Sequence, residues 1–232
     1  MLFGDQHFLI QRVLFFIPAL VIGFTLHEFS HALVANLVGD PTAKNQGRLT
    51  LNPVKHIDPI GMIMILVIGL GYAKPVPVNH SKMRGRFAPL MVALAGPGMN
   101  LIIAIVASIA LKIIAGNSGL LGGPDFSTYC SLTVDPIQVL KTELFYIYTL
   151  NLFLMVFNLL PIPPLDGFEL VRTILRRSNP RLLFQIEMNL PQIYIVILLI
   201  FLFLPGVLFF VVNFVAAPVA FVLGVPLIRP CP

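Results

Sequence analysis

The chain has 232 residues, 57% of them hydrophobic and 11% charged, with a mean hydropathy of +0.92 and a formal net charge of +5. Soluble domains are roughly a quarter charged, and a single core of this size has no use for so much apolar surface, so a soluble globular fold is excluded. What remains is an integral membrane protein, read as one compact domain over residues 1–232.

A spanning helix needs about 20 apolar residues. The apolar stretches predict helices over residues 8–37, 87–116 and 137–160. A longer run, 191–225, is interrupted by Leu204-Pro205-Gly206-Val207 and reads as a C-terminal helical hairpin. That brings the expected number of spans to about five. The stretch 59–72 has only about 14 apolar positions, more typical of a re-entrant segment. Lys44, Arg48 and Lys55 precede it, and Lys74, Lys82, Arg84 and Arg86 follow it. Basic loops stay cytoplasmic, so this segment is expected to dip into the membrane and return. The same rule puts Arg172, Arg176, Arg177, Arg181 and Arg229 inside, and residues 117–136, which lack Lys and Arg, outside. Net basic charge thus follows topology and makes no case for a nucleic-acid partner. The first apolar region is too long for a cleaved signal peptide. Cys130 and Cys231 lie far apart and have no metal-ligand spacing.

Two segments beside the dip alternate like strands. They are Gly47–Val54, with Leu49 and Leu51 against Arg48, Thr50 and Asn52, and Ala73–His80, with Val76 and Val78 between prolines. Pro75 and Pro77 confine the second to a sheet edge or a loop. The expected fold is therefore an all-α polytopic membrane protein with a re-entrant apolar segment and a small membrane-associated β element.

His27-Glu28-Phe29-Ser30-His31 interrupts the first apolar helix. Two imidazoles four residues apart share a helix face and can hold one zinc ion, and the glutamate beside them can act on water as a general base. A carboxylate near the centre of a spanning helix costs about 2.5–3.5 kcal/mol, which makes a purely structural role for all three a poor explanation. A third ligand is needed. His7, His56 and His80 read as solvated loop histidines, and Asp58 as a turn-setting residue before Pro59. Asp166 follows the helix 137–160 after Pro161, Pro163 and Pro164, and can be either the N-cap of the next helix or a metal ligand. Topology puts it at the same membrane face as His27 and His31.

His27–His31 ("HEFSH"), residues 93–100 ("ALAGPGMN") and residues 158–167 ("NLLPIPPLDG"), in that order, resemble the site-2 protease family of intramembrane zinc metalloproteases. The likeness runs from about residue 20 to 177 and is to the compact prokaryotic type without PDZ or CBS domains. It implies one zinc per chain held by His27, His31 and Asp166, with Glu28 as base and Asn100 facing the site. It also implies a catalytic core of about 8–177 and single transmembrane helices, such as membrane-tethered regulators, as substrates. The expected setting is a prokaryotic cell membrane with the site toward the cytoplasm. In that mechanism Asn100 donates a hydrogen bond to the oxyanion, although "AGPGMN" also suits close helix packing. Asn158 caps or braces the extended segment before Asp166. An unwound substrate leaves backbone groups unsatisfied in lipid, and an edge strand at 47–54 or 73–80 can pair with them. A membrane metal transporter and a catalytically silent metal-binding protein are the competing readings. The first would want polar groups along a path, and the second gives Glu28 no purpose.

Overall fold

The computed structural model describes residues 12–68, 71–115 and 135–203, with a few single positions beyond. The fold is mostly helical. A short π-helical turn, Arg12–Phe16, leads into α1, Ile17–Leu37. α2 is Pro59–Ile68, α3 Ala88–Ala115 and α4 Pro136–Leu159. Three shorter helices follow: α5 Phe168–Ser178, α6 Pro180–Met188 and α7 Leu190–Phe203. Among the described residues, three helices are long and apolar enough to cross a membrane, at Leu14–Leu37, Ala88–Ile114 and Pro136–Leu159. The outer ends of the first predicted helix and of the 191–225 run lie outside the described residues, as do Cys130, Cys231 and nearly all of the segment 117–136.

α1, α3 and α4 pack against one another. On α3 the small Ala104 and Ala107, with Leu111, are buried against Phe145, Tyr148, Leu152, Met155 and Val156 of α4. Small residues on one helix let the large ones of its neighbour approach, the usual way helices associate in lipid. The opposite face of α3 carries Ile102, Val106, Ile109 and Ile113, all exposed. This helix is therefore apolar all round, as one lipid-facing on one side must be.

α2 starts where Asp58 accepts hydrogen bonds from the N–H groups of Ile60 (2.9 Å) and Gly61 (3.0 Å). That fits the turn-setting role read for Asp58. Beyond α2 the chain comes back beside its own start. Ile57 and Ala73 form an isolated antiparallel bridge, and Lys74 N–H donates to the His56 carbonyl at 2.8 Å.

Neither strand-like segment is a strand. Among the described residues the Ile57–Ala73 bridge stands alone. Around residue 50 local bonding wins over extension. Thr50 Oγ1 accepts from Asn52 N–H (3.2 Å), and Asn52 Oδ1 accepts from Val54 N–H (3.1 Å), starting the 3-10 turn Pro53–Lys55. Short polar side chains offer the backbone this alternative to a ladder. Residues 74–79 do run extended, but side chains from elsewhere hold them in place of a second strand. His56 is not solvated either. It is fully buried, with Nε2 2.7 Å from the Thr50 carbonyl.

Candidate metal centre

His27 and His31 lie one turn apart on α1, both buried, with their Nε2 atoms 3.0 Å from each other and their rings edge-on at 79°. His31 Nδ1 is 2.7 Å from the Val92 carbonyl on α3. A carbonyl accepts only, so Nδ1 carries the proton and Nε2 keeps its lone pair, the arrangement a metal-binding histidine needs.

Asp166 Oδ2 sits 3.1 Å from His27 Nε2 and 3.3 Å from His31 Nε2. Its loop is folded back on the end of α4. Gly167 N–H donates to the Asn158 carbonyl at 2.7 Å, and Leu165 N–H to Ile162 at 2.9 Å. A Cβ at residue 167 would overlap the Leu159 and Leu160 carbonyls, so only glycine allows this reversal. Asn158 thus braces the segment through its carbonyl, while its side-chain amide turns back to Leu154 O (2.9 Å). The capping alternative for Asp166 fails, because α5 has Gly167 at its N-cap and no side-chain cap bond.

The three atoms fit a zinc ion. Donors about 2.0–2.1 Å from a tetrahedral zinc lie roughly 3.3 Å apart, and here the separations are 3.0, 3.1 and 3.3 Å. Asp166 Oδ2 is buried and makes no well-angled hydrogen bond to either ring. Three donor atoms, one from each residue, converge on one point, which is how a ligand set is arranged. α3 passes close by because residue 96 is glycine. A Cβ there would lie 2.6 Å from His27 Nε2 and would overlap His31 Nε2.

Glu28 is buried, and its Oε2 accepts a hydrogen bond from Val76 N–H at 2.8 Å. Glu28, His31 and Asp166 line one cavity of about 250 Å³, together with Pro75, Val78 and Pro163. His80, read as a loop residue, is exposed at its edge. Asn100 is not part of the lining. It is fully buried one turn beyond Gly96, and neither amide atom has a partner. Sequence reasoning missed the backbone N–H of Val76 and the carbonyl of Val92, since neither depends on side-chain identity. One signal was available: Pro75 and Pro77 leave Val76 the sole N–H donor among the three.

The profile of peptidase family M50 matches residues 15–203. YwhC of Bacillus subtilis (strain 168) is 41% identical over 161 residues, 69% of this chain and 68% of its own. Rip2 of Mycobacterium tuberculosis (strain ATCC 25618 / H37Rv) is 30% identical over 169 residues, 70% of this chain. Rip2 of Mycolicibacterium smegmatis is 27% identical over 168 residues, also 70% of this chain. All three are named as candidate zinc metalloproteases. The chain spans 58% of the length of each Rip2 protein. No solved structure matches the chain.

Proposed function

The chain belongs to peptidase family M50 and is a zinc metalloprotease with membrane-crossing helices, and on that premise we propose that His27, His31 and Asp166 hold one zinc ion, that Glu28 is the general base, and that the substrate is a membrane-spanning helix. The observation that carries this reading is the convergence of three donor atoms at 3.0–3.3 Å, beside a buried glutamate opening on the same cavity. Bound there, zinc supplies Lewis acidity toward a peptide carbonyl and lowers the pKa of a water to about 7.

The remaining work belongs to the side chains. Val92 fixes the His31 tautomer, and Asp166 brings a carboxylate oxygen to the ligand set. Glu28 is held through Oε2, so Oε1 is the atom that takes the water's proton and returns it to the leaving nitrogen. Asn100 donates to the oxyanion once substrate opens the cavity toward it; an amide buried with both atoms unpartnered supports such a task. Pro75, Val76 and Val78 line the cavity, and backbone groups of this segment not already held within the molecule are those an unwound substrate would pair with.

The setting follows the charges. Basic residues on both sides of α2, whose flanks meet at the Ile57–Ala73 bridge, support a re-entrant α2 and a site toward the cytoplasm of a prokaryotic cell. With a hairpin over 191–225 the chain has about five spans in one domain.

The test is made on purified protein in lipid nanodiscs. Glu28→Gln should keep its zinc and lose cleavage of a helical test substrate, whereas His31→Ala and Asp166→Ala should each lose zinc. Undiminished cleavage by Glu28→Gln would remove the base. Normal zinc in Asp166→Ala would require another ligand.

A further inference from the structure

Residues 74–79 are tied to the rest of the molecule at four points. Lys74 donates its N–H to the His56 carbonyl (2.8 Å), and its own carbonyl accepts from a buried Arg48 at 2.6 Å. Val76 donates to Glu28 Oε2, and Asn79 N–H donates to the fully buried Asp40 at 2.6 Å. The Val76 side chain packs with Ala32 of α1 and with Ala43. A segment so fixed at both ends cannot drift, so its single mid-segment donor has a set position. Pro75 and Pro77 have no N–H to compete with it.

We propose that the Val76 amide is a positioning group for the reaction: it pins Glu28 Oε2 so that Oε1 alone faces the reacting water. This rests on Glu28 being the base. A glutamate has three side-chain torsions to settle, and Glu28 receives no other hydrogen bond among the described residues. Without the amide the carboxylate would sample orientations in which neither oxygen addresses the metal group. Cleavage would then slow through kcat, with KM and zinc binding unaffected, because Val76 N–H touches neither substrate nor ligand atoms.

The contact can be read without any substrate. Val76 carries the sole amide hydrogen among residues 75–77, so residue-resolved hydrogen exchange isolates it. Hydrogen bonds to a charged acceptor slow exchange by about 10–100-fold. Exchange at Val76 should rise by that factor in Glu28→Ala and partly in Glu28→Gln, at equal zinc content. Equal exchange in all three proteins would overturn the proposal.

The catalytic arm uses Val76→Pro, which deletes the donor between two residues that already lack one. Val76→Pro should lose roughly 10–100-fold in kcat toward a helical test substrate. A dead Glu28→Gln beside a full-rate Val76→Pro sinks the clamp and leaves the base standing. An active Glu28→Gln sinks the base itself. Should Val76→Pro fail to hold its fold, replacing Val76 by the corresponding α-hydroxy acid removes only the N–H, and a normal kcat there also overturns the clamp.

Discussion

The two flanks of α2 are built on the same local turn. Asn52 caps the 3-10 turn Pro53–Lys55 by accepting from Val54 N–H, and Asn79 caps His80–Lys82 by accepting from Ser81 N–H. They differ in what holds the asparagine's own N–H. For Asn52 it is the hydroxyl of Thr50, two residues away; for Asn79 it is the carboxylate of Asp40, 39 residues away. One flank is a self-contained turn. The other is drawn onto the end of α1 and carries Val76 to Glu28. The same short motif becomes part of a site only where a distant buried charge takes hold of it.

The scale for both flanks is set by a substitution at the metal group itself, where the largest effect is expected. Gly96→Ala puts a methyl group against His27 and His31, whose rings cannot yield freely because Val92 holds one of them. Zinc affinity should fall by about 10–100-fold, as it does when the surroundings of metal ligands are disturbed. Gly98, two residues on, has nothing within 4 Å of its would-be Cβ. Gly98→Ala should leave zinc affinity unchanged and stability within about 1 kcal/mol of wild type. Competition with a chelator measures both, and equal affinities for the two variants would mean that α3 does not define the site.

Next in size is Asp40→Ala. The carboxylate is fully buried and accepts from Thr42 N–H (3.0 Å), the Thr42 hydroxyl and Asn79 N–H. Removing it leaves these donors unmatched at about 1–3 kcal/mol for each that stays buried. The flank 71–84 should become sensitive to limited proteolysis, and kcat should drop about tenfold as Val76 loses its footing. Zinc content should stay normal, which separates this variant from Gly96→Ala. The flank around Asn52 should keep its resistance.

The same carboxylate fixes a pH dependence. Burial would raise the Asp40 pKa, but the Thr42 hydroxyl, the amides of Asn79 and Thr42, and Lys82 together hold it below its ordinary value. A lowered native pKa contributes stability above the ordinary carboxylate pKa of about 3.9, lost only as pH falls through the lower native one. Protection of residues 71–84 should therefore be flat from neutral pH to about 5 and fall only below the ordinary carboxylate range. Loss of protection already near pH 6, measured by hydrogen exchange in nanodiscs, would show that another group holds the flank.

Helical periodicity and length made most of the scaffold legible. Predicted helices at 87–116 and 137–160 agree with Ala88–Ala115 and Pro136–Leu159 to within a residue wherever their ends fall among the described residues. Spacing alone put His27 and His31 on one face of α1. Asp166 was readable only as one of two alternatives, because capping and ligation ask for the same residue type after a helix. Setting the cap aside required the start of α5 at Gly167, a tertiary fact. Alternation misled at 47–54, where Thr50 and Asn52 satisfy the backbone locally. It misled less at 73–80, where the prolines do enforce extension but the partners are the side chains of Glu28, Asp40 and Arg48. His56 and Arg48 looked like loop residues because nothing nearby in sequence says that Thr50 O and Lys74 O will meet them.

The smallest effects come from the caps themselves, and they sharpen the contrast most cleanly. Asn52→Ala removes the acceptor for Val54 N–H, and Asn79→Ala removes the acceptor for Ser81 N–H and the Ser81 hydroxyl. Neither touches its own backbone N–H, so Asn79 in the alanine variant can still donate to Asp40. Cap losses of this kind cost about 0.5–2 kcal/mol, and less where solvent replaces the lost acceptor, as it can at the exposed Asn52. Both variants should therefore melt within a few degrees of wild type, keep their zinc and cleave a helical test substrate at near-normal kcat. If the distant carboxylate places the flank, Asn79→Ala should resemble Asn52→Ala and leave Asp40→Ala far behind. Should Asn79→Ala instead match Asp40→Ala in kcat, the local turn would be what positions Val76, and the difference between the two flanks would lie in their caps after all.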